Sequence, residues 1–80
     1  MTQVLTLLGR RDCPLCEEMQ HGLADLVASG RIALRVIDVD EDPVLLARHG
    51  LDVPVLMCAA RVLCMHRLDR EALLACLNSQ

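Results

Sequence analysis

The chain has 80 residues, the size of one small domain, and its core must be built without aromatic side chains because Phe, Tyr and Trp are all missing. A net charge of −3 gives no basic surface for nucleic acid or anionic lipid, and single-stranded nucleic acid would find no aromatic stacking platform. The apolar runs are far shorter than the roughly 20 residues of a membrane span, and the first residues lack the features of a secretory signal. We therefore expect a single domain over residues 1–80, cytoplasmic and monomeric, with no nucleic-acid or membrane partner.

The N-terminal third of the chain predicts a strand and a helix. Residues 3–8 form a short, partly alternating apolar run that stops at Gly9, as in a buried strand. Pro14 suits the first turn of a helix, where its missing N–H leaves no partner unsatisfied. Apolar residues then recur at helical spacing as far as Ser29. This prediction places Cys13 at the N-cap of the helix.

A second strand and a short helix follow. Residues 32–39 are rich in β-branched side chains and predict a strand. The acidic run at 38–42 is interpreted as a solvated turn and helix cap, since it lacks the glycine and the downstream Glu of a calcium loop. Pro43 opens the helix, and Gly50 is expected to end it in the left-handed conformation.

The last third of the chain predicts a β-hairpin and a final helix. Residues 55–58 and 61–65 are the two strands, and Ala59-Ala60 joins them. This pair suits the turn poorly, because both residues would need positive φ in a type I′ turn. Asp69 is expected to cap the helix at residues 70–77.

The predicted order is β-α-β-α-β-β-α, which indicates an α/β fold. The first strand-helix-strand unit must be parallel and right-handed, and the last two strands antiparallel. The result is a four-stranded mixed sheet with helices on both faces.

The informative motif is Cys13-Pro14-Leu15-Cys16. A C-x-x-C next to a strand-helix-strand pattern is typical of thioredoxin-like redox proteins. At a helix N-terminus, unpaired N–H groups and the helix dipole favour the thiolate of Cys13, which is the attacking species. Cys16 lies one turn further on, where it can displace a substrate from a mixed disulfide. The sequence therefore predicts a thiol-disulfide oxidoreductase, with Cys13 as nucleophile and Cys16 as resolving partner.

Charged residues of both signs surround the motif. Arg10 and Arg11 precede it and could stabilise a thiolate, whereas Asp12, Glu17 and Glu18 oppose this effect. The sequence alone leaves the sign of the balance open.

These features resemble the glutaredoxins, in particular the short bacterial glutaredoxin-like proteins of the thioredoxin-fold superfamily. The resemblance rests on the C-x-x-C motif with Arg10 upstream, on Val53-Pro54 before the hairpin, and on Asp69 at the final helix. It implies that Pro54 is cis and packs beside the cysteines, and that the backbone of Val53 pairs with the substrate chain. The substrate-binding residues expected from the resemblance are Arg10, Pro14, Leu15, Val53 and Pro54.

The chain departs from the glutaredoxin pattern at two places. Leu15 stands where the family usually has an aromatic residue, and Cys64-Met65 stands where it has two glycines that approach glutathione closely. Since glycine lacks a Cβ, the side chains of Cys64 and Met65 should crowd the approach of glutathione. We expect no bound cofactor, weak glutathione binding, a protein or small-thiol disulfide as substrate, and thioredoxin as a better reductant.

The remaining cysteines and histidines have simpler interpretations. Cys58, Cys64 and Cys76 are expected to be buried small hydrophobic residues. A Cys58–Cys64 disulfide is disfavoured, because a two-residue loop would place the two side chains on opposite faces of the sheet. Surface or cap positions are expected for three histidines: His21, His49 and His66.

Two alternative functions use the same residues. Cys13 and Cys16 could be soft ligands of copper, zinc or an iron-sulfur species bridged between two copies of the chain. A second C-x-x-C or a nearby histidine would favour metal, and neither is present. A redox-silent adaptor is the third interpretation.

Overall fold

The computed structural model describes residues 2–79 and confirms the predicted α/β architecture. The elements are β1 Gln3–Gly9, α1 Pro14–Ala28, β2 Ile32–Asp38, a 3₁₀ turn Val39–Glu41, α2 Pro43–His49, β3 Val55–Cys58, β4 Arg61–Met65 and α3 Arg70–Asn78. The four strands form one mixed sheet in the order β2-β1-β3-β4. Within residues 2–79, every helix is too short or too polar to cross a membrane.

The central strand β1 sets the register of the sheet. It runs parallel to β2, from the pair Gln3 and Ile32 to the pair Gly9 and Asp38, and antiparallel to β3, where Leu8 pairs with Val55. The sequence predicted that the strand stops at Gly9. In the structure Gly9 is instead the last residue of the strand. The parallel β1-α1-β2 unit brings the start of α1 to the carboxyl end of β1.

Apolar side chains cover both faces of the sheet. One face packs against α1 and α3, and its buried cluster is Leu5, Leu7, Met19, Leu23, Leu26, Ile32, Leu56, Leu73 and Leu77. The other face carries a smaller cluster of Leu8, Val39 and Val55, against which Leu45 of α2 packs. Helices on both faces thus hold β1 and its carboxyl end in place.

Aspartates cap α2 and α3, as the sequence predicts. Asp42 Oδ1 accepts hydrogen bonds from the backbone N–H groups of Val44 and Leu45, and Asp69 Oδ1 accepts one from Ala72. The left-handed conformation predicted for Gly50 is wrong, because its φ is −57°. Glycine is needed there for space, since a Cβ would lie 2.5 Å from the carbonyl oxygen of Leu46.

The hairpin contains a β-bulge that the sequence did not predict. Leu56 pairs with Cys64 and Met57 with Val62, so Leu63 is an extra residue in β4. An extra residue reverses the alternation beyond it. Cys64 therefore packs on the same apolar cluster as Cys58, and the expectation of opposite faces is wrong. Neither of these two cysteines forms a disulfide.

Candidate active site

Cys13 and Cys16 form a disulfide at the start of α1, with their Cα atoms 5.2 Å apart. Cys13 is the N-cap residue, with extended backbone angles of φ −114° and ψ 99°. Its Sγ accepts a hydrogen bond from the backbone N–H of Cys16 at 3.2 Å. A sulfur in this position satisfies one of the unpaired donors at the helix start, and the same donor stabilises a thiolate after reduction.

The two sulfurs differ in access to solvent. Cys16 is buried, with 8% of its surface exposed, whereas Cys13 is half-buried. Pro14 is exposed and Leu15 is half-buried beside it. An incoming disulfide can therefore reach Cys13 more easily than Cys16.

Gly9 gives Cys16 the space it occupies. A Cβ at Gly9 would lie 3.3 Å from Cys16 Sγ, which is closer than an ordinary contact. The last residue of β1 is thus part of the wall around the buried sulfur. Sequence reasoning missed this role, because it treated the glycine only as the end of a strand.

Asp12 gives the loop before the motif an unusual conformation. Its φ is 54°, in the left-handed region. Aspartate tolerates this region better than most residues, because its short polar side chain can satisfy nearby backbone groups. The loop can thereby turn directly from β1 into the N-cap residue, and this position was also missed by sequence reasoning.

The two arginines before the motif form ion pairs with the acidic run. Arg10 Nη2 lies 3.0 Å from Asp40 Oδ1, and Arg11 Nε lies 3.9 Å from Asp38 Oδ2. Each guanidinium is thereby offset by a carboxylate. The N-terminus of α1 is a further source of positive potential beside Cys13.

Val53 and Pro54 lie at the same end of the sheet as the disulfide. The peptide bond between them is cis, and Pro54 is fully buried. The register places Pro54 next to the end of β1, because Val55 pairs with Leu8. The carbonyl oxygen of Pro54 accepts a hydrogen bond from His66 N–H at 2.8 Å, which links this end of β3 to the residue after β4.

Two cavities flank the motif. One of about 220 Å³ borders Cys16 and is lined by Arg10 and Arg11. The other, of about 350 Å³, borders Leu15 and lies between α1 and residues 66–68. The space open to a ligand is thus lined by three residues that the sequence assigned to the site: Arg10, Leu15 and Cys16.

Comparison with known proteins decides the family. The glutaredoxin-like domain (DUF836) matches residues 4–78. The chain belongs to the glutaredoxin-like domain family. None of the curated proteins matches it significantly.

Solved structures agree with this assignment. Protein Ne2328 from Nitrosomonas europaea is similar, with a TM-score of 0.80 and 33% identity over 91% of this chain and 88% of that one. Protein XcR50 from X. campestris is similar too, with a TM-score of 0.73 and 35% identity over 95% of this chain and 97% of that one. The match extends over nearly the whole glutaredoxin-like domain.

The two residues that replace the glycines of ordinary glutaredoxins are placed differently. Cys64 is half-buried and packs against the main apolar cluster, whereas Met65 is 39% exposed. Burial raises the pKa of the Cys64 thiol, and a hydrogen bond from the Asp69 backbone opposes that shift. Of the two side chains, Met65 is the more exposed.

The histidines do not gather around the disulfide. His21 and His66 are exposed, and His49 lies in the last turn of α2. Across residues 2–79, no group of three or more His, Cys, Asp or Glu side chains could hold a metal ion.

Proposed function

We propose that this glutaredoxin-like domain is a thiol-disulfide oxidoreductase in which Cys13 attacks and Cys16 resolves. One observation carries the proposal: the more accessible sulfur, Cys13, caps α1 and accepts the N–H of Cys16, whose own sulfur is buried behind it. A thiolate at a helix N-terminus is the form that attacks disulfides. Family membership and the Cys13–Cys16 pair support a redox function of the thioredoxin-like kind.

The reaction has two exchange steps. In the first, the Cys13 thiolate attacks one sulfur of the substrate disulfide, a mixed disulfide forms, and the other substrate sulfur leaves as a thiolate. In the second, Cys16 gives up its proton and attacks Cys13 Sγ, which releases the second substrate thiol and restores the Cys13–Cys16 disulfide. Two protein thiols are oxidised, and one substrate disulfide is reduced to two thiols.

The proposed substrate is a disulfide in a protein or in a small thiol compound, in a reducing cytoplasm. We expect the backbone of Val53, at the disulfide end of the sheet, to pair with an extended substrate chain. The cavity lined by Arg10 beside Cys16 suits a substrate group of modest size. No bound cofactor enters this chemistry.

A disulfide reductase assay tests the activity. The reduced protein is mixed with a small aromatic disulfide, and the release of the coloured thiol is followed. The Cys13→Ser variant should lose the fast phase of thiol release and keep only the slow reaction of the other free thiols. Cys64→Ser, which removes a cysteine outside the motif, should keep the fast phase at the parent rate. Equal rates for the parent protein and Cys13→Ser would refute the proposal.

We also propose that glutathione is a poor reductant of the oxidised protein and that thioredoxin is a better one. The exposed Met65 side chain stands where ordinary glutaredoxins have glycine, and it would meet the glutathione backbone. The test compares the rate at which glutathione reduces the oxidised protein with the rate at which thioredoxin does so, at equal driving force.

The two replaced positions supply the matched variants for this comparison. Met65→Gly should raise the rate with glutathione, whereas Cys64→Gly should not, because Cys64 packs against the core. If glutathione reduces the parent protein as fast as it reduces an ordinary glutaredoxin, the steric argument is wrong.

A further inference from the structure

A second pair of thiols meets between β3 and α3. The thiols of Cys58 and Cys76 are neighbours that interact directly. Arg61 is the cross-strand partner of Cys58, and its Nη2 donates to Cys76 Sγ at 3.4 Å. Gln3 Nε2 donates to Cys58 Sγ at 3.3 Å. The two sulfurs therefore share one polar cluster next to an otherwise apolar core.

This cluster lies at the opposite end of the sheet from Cys13 and Cys16. Cys58 and Arg61 flank the hairpin turn, whereas Val55 pairs with Leu8 near the end of β1 that leads to the motif. The redox chemistry proposed for Cys13 and Cys16 therefore makes no use of it.

The pair is accessible from solvent on two sides. Cys58 is half-buried, whereas Cys76 is only 3% exposed. A cavity of about 380 Å³ between β4 and α3 borders Cys76 and Arg61. Because Cys58 is the more exposed of the two, a small reagent reaches it more easily than Cys76.

We propose that Cys58 and Cys76 are a second thiol-disulfide site, which small disulfides such as oxidised glutathione convert to an intramolecular Cys58–Cys76 disulfide. The Cys58 thiolate attacks the small disulfide and forms a mixed disulfide, and one small thiolate leaves and takes up a proton. Cys76 gives up its proton and attacks Cys58 Sγ, and the second small thiol leaves. Two protein thiols are oxidised and one small disulfide is reduced to two thiols.

The surroundings of the pair set the rate of each step. Burial raises the pKa of the Cys58 thiol, contact with Cys76 raises it further, and Arg61 opposes both effects. Because less of Cys58 is ionised at neutral pH, it attacks a disulfide more slowly than a cysteine at a helix N-cap does. Arg61, which reaches the Cys76 sulfur, stabilises the thiolate of the closing step and is a positioning residue.

The test uses the full chain carrying Cys13→Ser, Cys16→Ser and Cys64→Ser, so that only Cys58 and Cys76 remain. After incubation with oxidised glutathione, its intact mass should fall by two hydrogen atoms, with no glutathione attached. Trypsin cleaves at Arg61 and Arg70, so a disulfide joins two separate peptides, 49–61 and 71–80. The closed protein should have a Tm roughly 10 °C higher than the reduced form, because the disulfide constrains the unfolded chain.

A matched control keeps Cys58 and Cys64 and replaces Cys76 with serine. Cys64 is also half-buried on the same face of the sheet, yet this protein should accumulate glutathione adducts and no intramolecular disulfide. Arg61→Gln in the test protein should slow closure by up to about fivefold, the rate equivalent of an exposed ion pair.

Two results would overturn the proposal. One is equal intramolecular closure in the Cys58 and Cys64 control. The other is closure of Cys58 and Cys76 only when urea is added, which would mean that the folded protein does not form the disulfide. Since every protein in this test lacks Cys13 and Cys16, its outcome is independent of the function proposed for those residues.

Discussion

Gly9 and Cys16 lie so close together that a Cβ on the glycine would stand 3.3 Å from the cysteine sulfur. The methyl group that Gly9→Ala introduces should therefore make an unfavourably close contact with the buried sulfur of Cys16. Overpacking of this kind costs about 1–3 kcal/mol, and we expect that loss in the free energy of unfolding by urea.

A double-mutant cycle identifies the cause of that loss. Cys16→Ala removes the sulfur that the new methyl group would meet, so Gly9→Ala should cost much less in the Cys16→Ala background. The same cost in both backgrounds would mean that the strain lies in the strand and not at the sulfur.

The hairpin turn offers a stabilising substitution. Ala59 has a positive φ of 53°, a value that favours glycine, whereas the φ of Ala60 is negative. The left-handed region costs an L-residue roughly 1–2 kcal/mol and costs glycine nothing, while glycine loses part of that gain through the greater entropy of the unfolded chain. Ala59→Gly should raise the free energy of unfolding by about 1 kcal/mol. Ala60→Gly is the control and should give no increase.

The alkaline stability of the oxidised protein should report its half-buried thiols. The chain has no Tyr and no Lys, so above about pH 8.5 its side-chain titration is that of cysteine. Burial raises the pKa of Cys58 and of Cys64 above the ordinary value of 9.0. The folded state then holds protons that the unfolded state has lost.

These two thiols make the folded protein less stable at alkaline pH. The contribution of these thiols is fully present below pH 9.0 and disappears as the pH rises through their higher folded-state pKa values. Urea unfolding followed by circular dichroism should show stability falling above that pH. A variant with Cys58→Ala and Cys64→Ala should show a flatter profile, and an unchanged slope would show that these thiols do not set the dependence.

The sequence predicted those features that depend on neighbouring residues. Local backbone chemistry accounts for the helix starts at Pro14 and Pro43 and for the cap at Asp69. The same reasoning placed Cys13 at an N-cap. The glutaredoxin resemblance came from the same short motifs.

Features that depend on distant contacts were missed. The ion pair of Arg10 with Asp40 joins residues from two different loops, and the contact of Gly9 with Cys16 depends on how α1 docks on the sheet. The bulge at Leu63 accompanies the packing of both Leu63 and Cys64 on the main apolar cluster, and the alternation of the sequence does not reveal it.

The most direct test of the central claim is a trapping experiment with two serine variants. Cys16→Ser should accumulate mixed disulfides with cellular proteins, because Cys13 can attack but nothing resolves the product. Cys13→Ser should trap none at the motif, since Cys16, the remaining sulfur of the motif, is buried behind the helix start. The adducts are separated on non-reducing gels after acid quenching. Stable adducts on Cys16→Ser alone are the predicted result, and equal trapping by both variants would contradict the assigned roles.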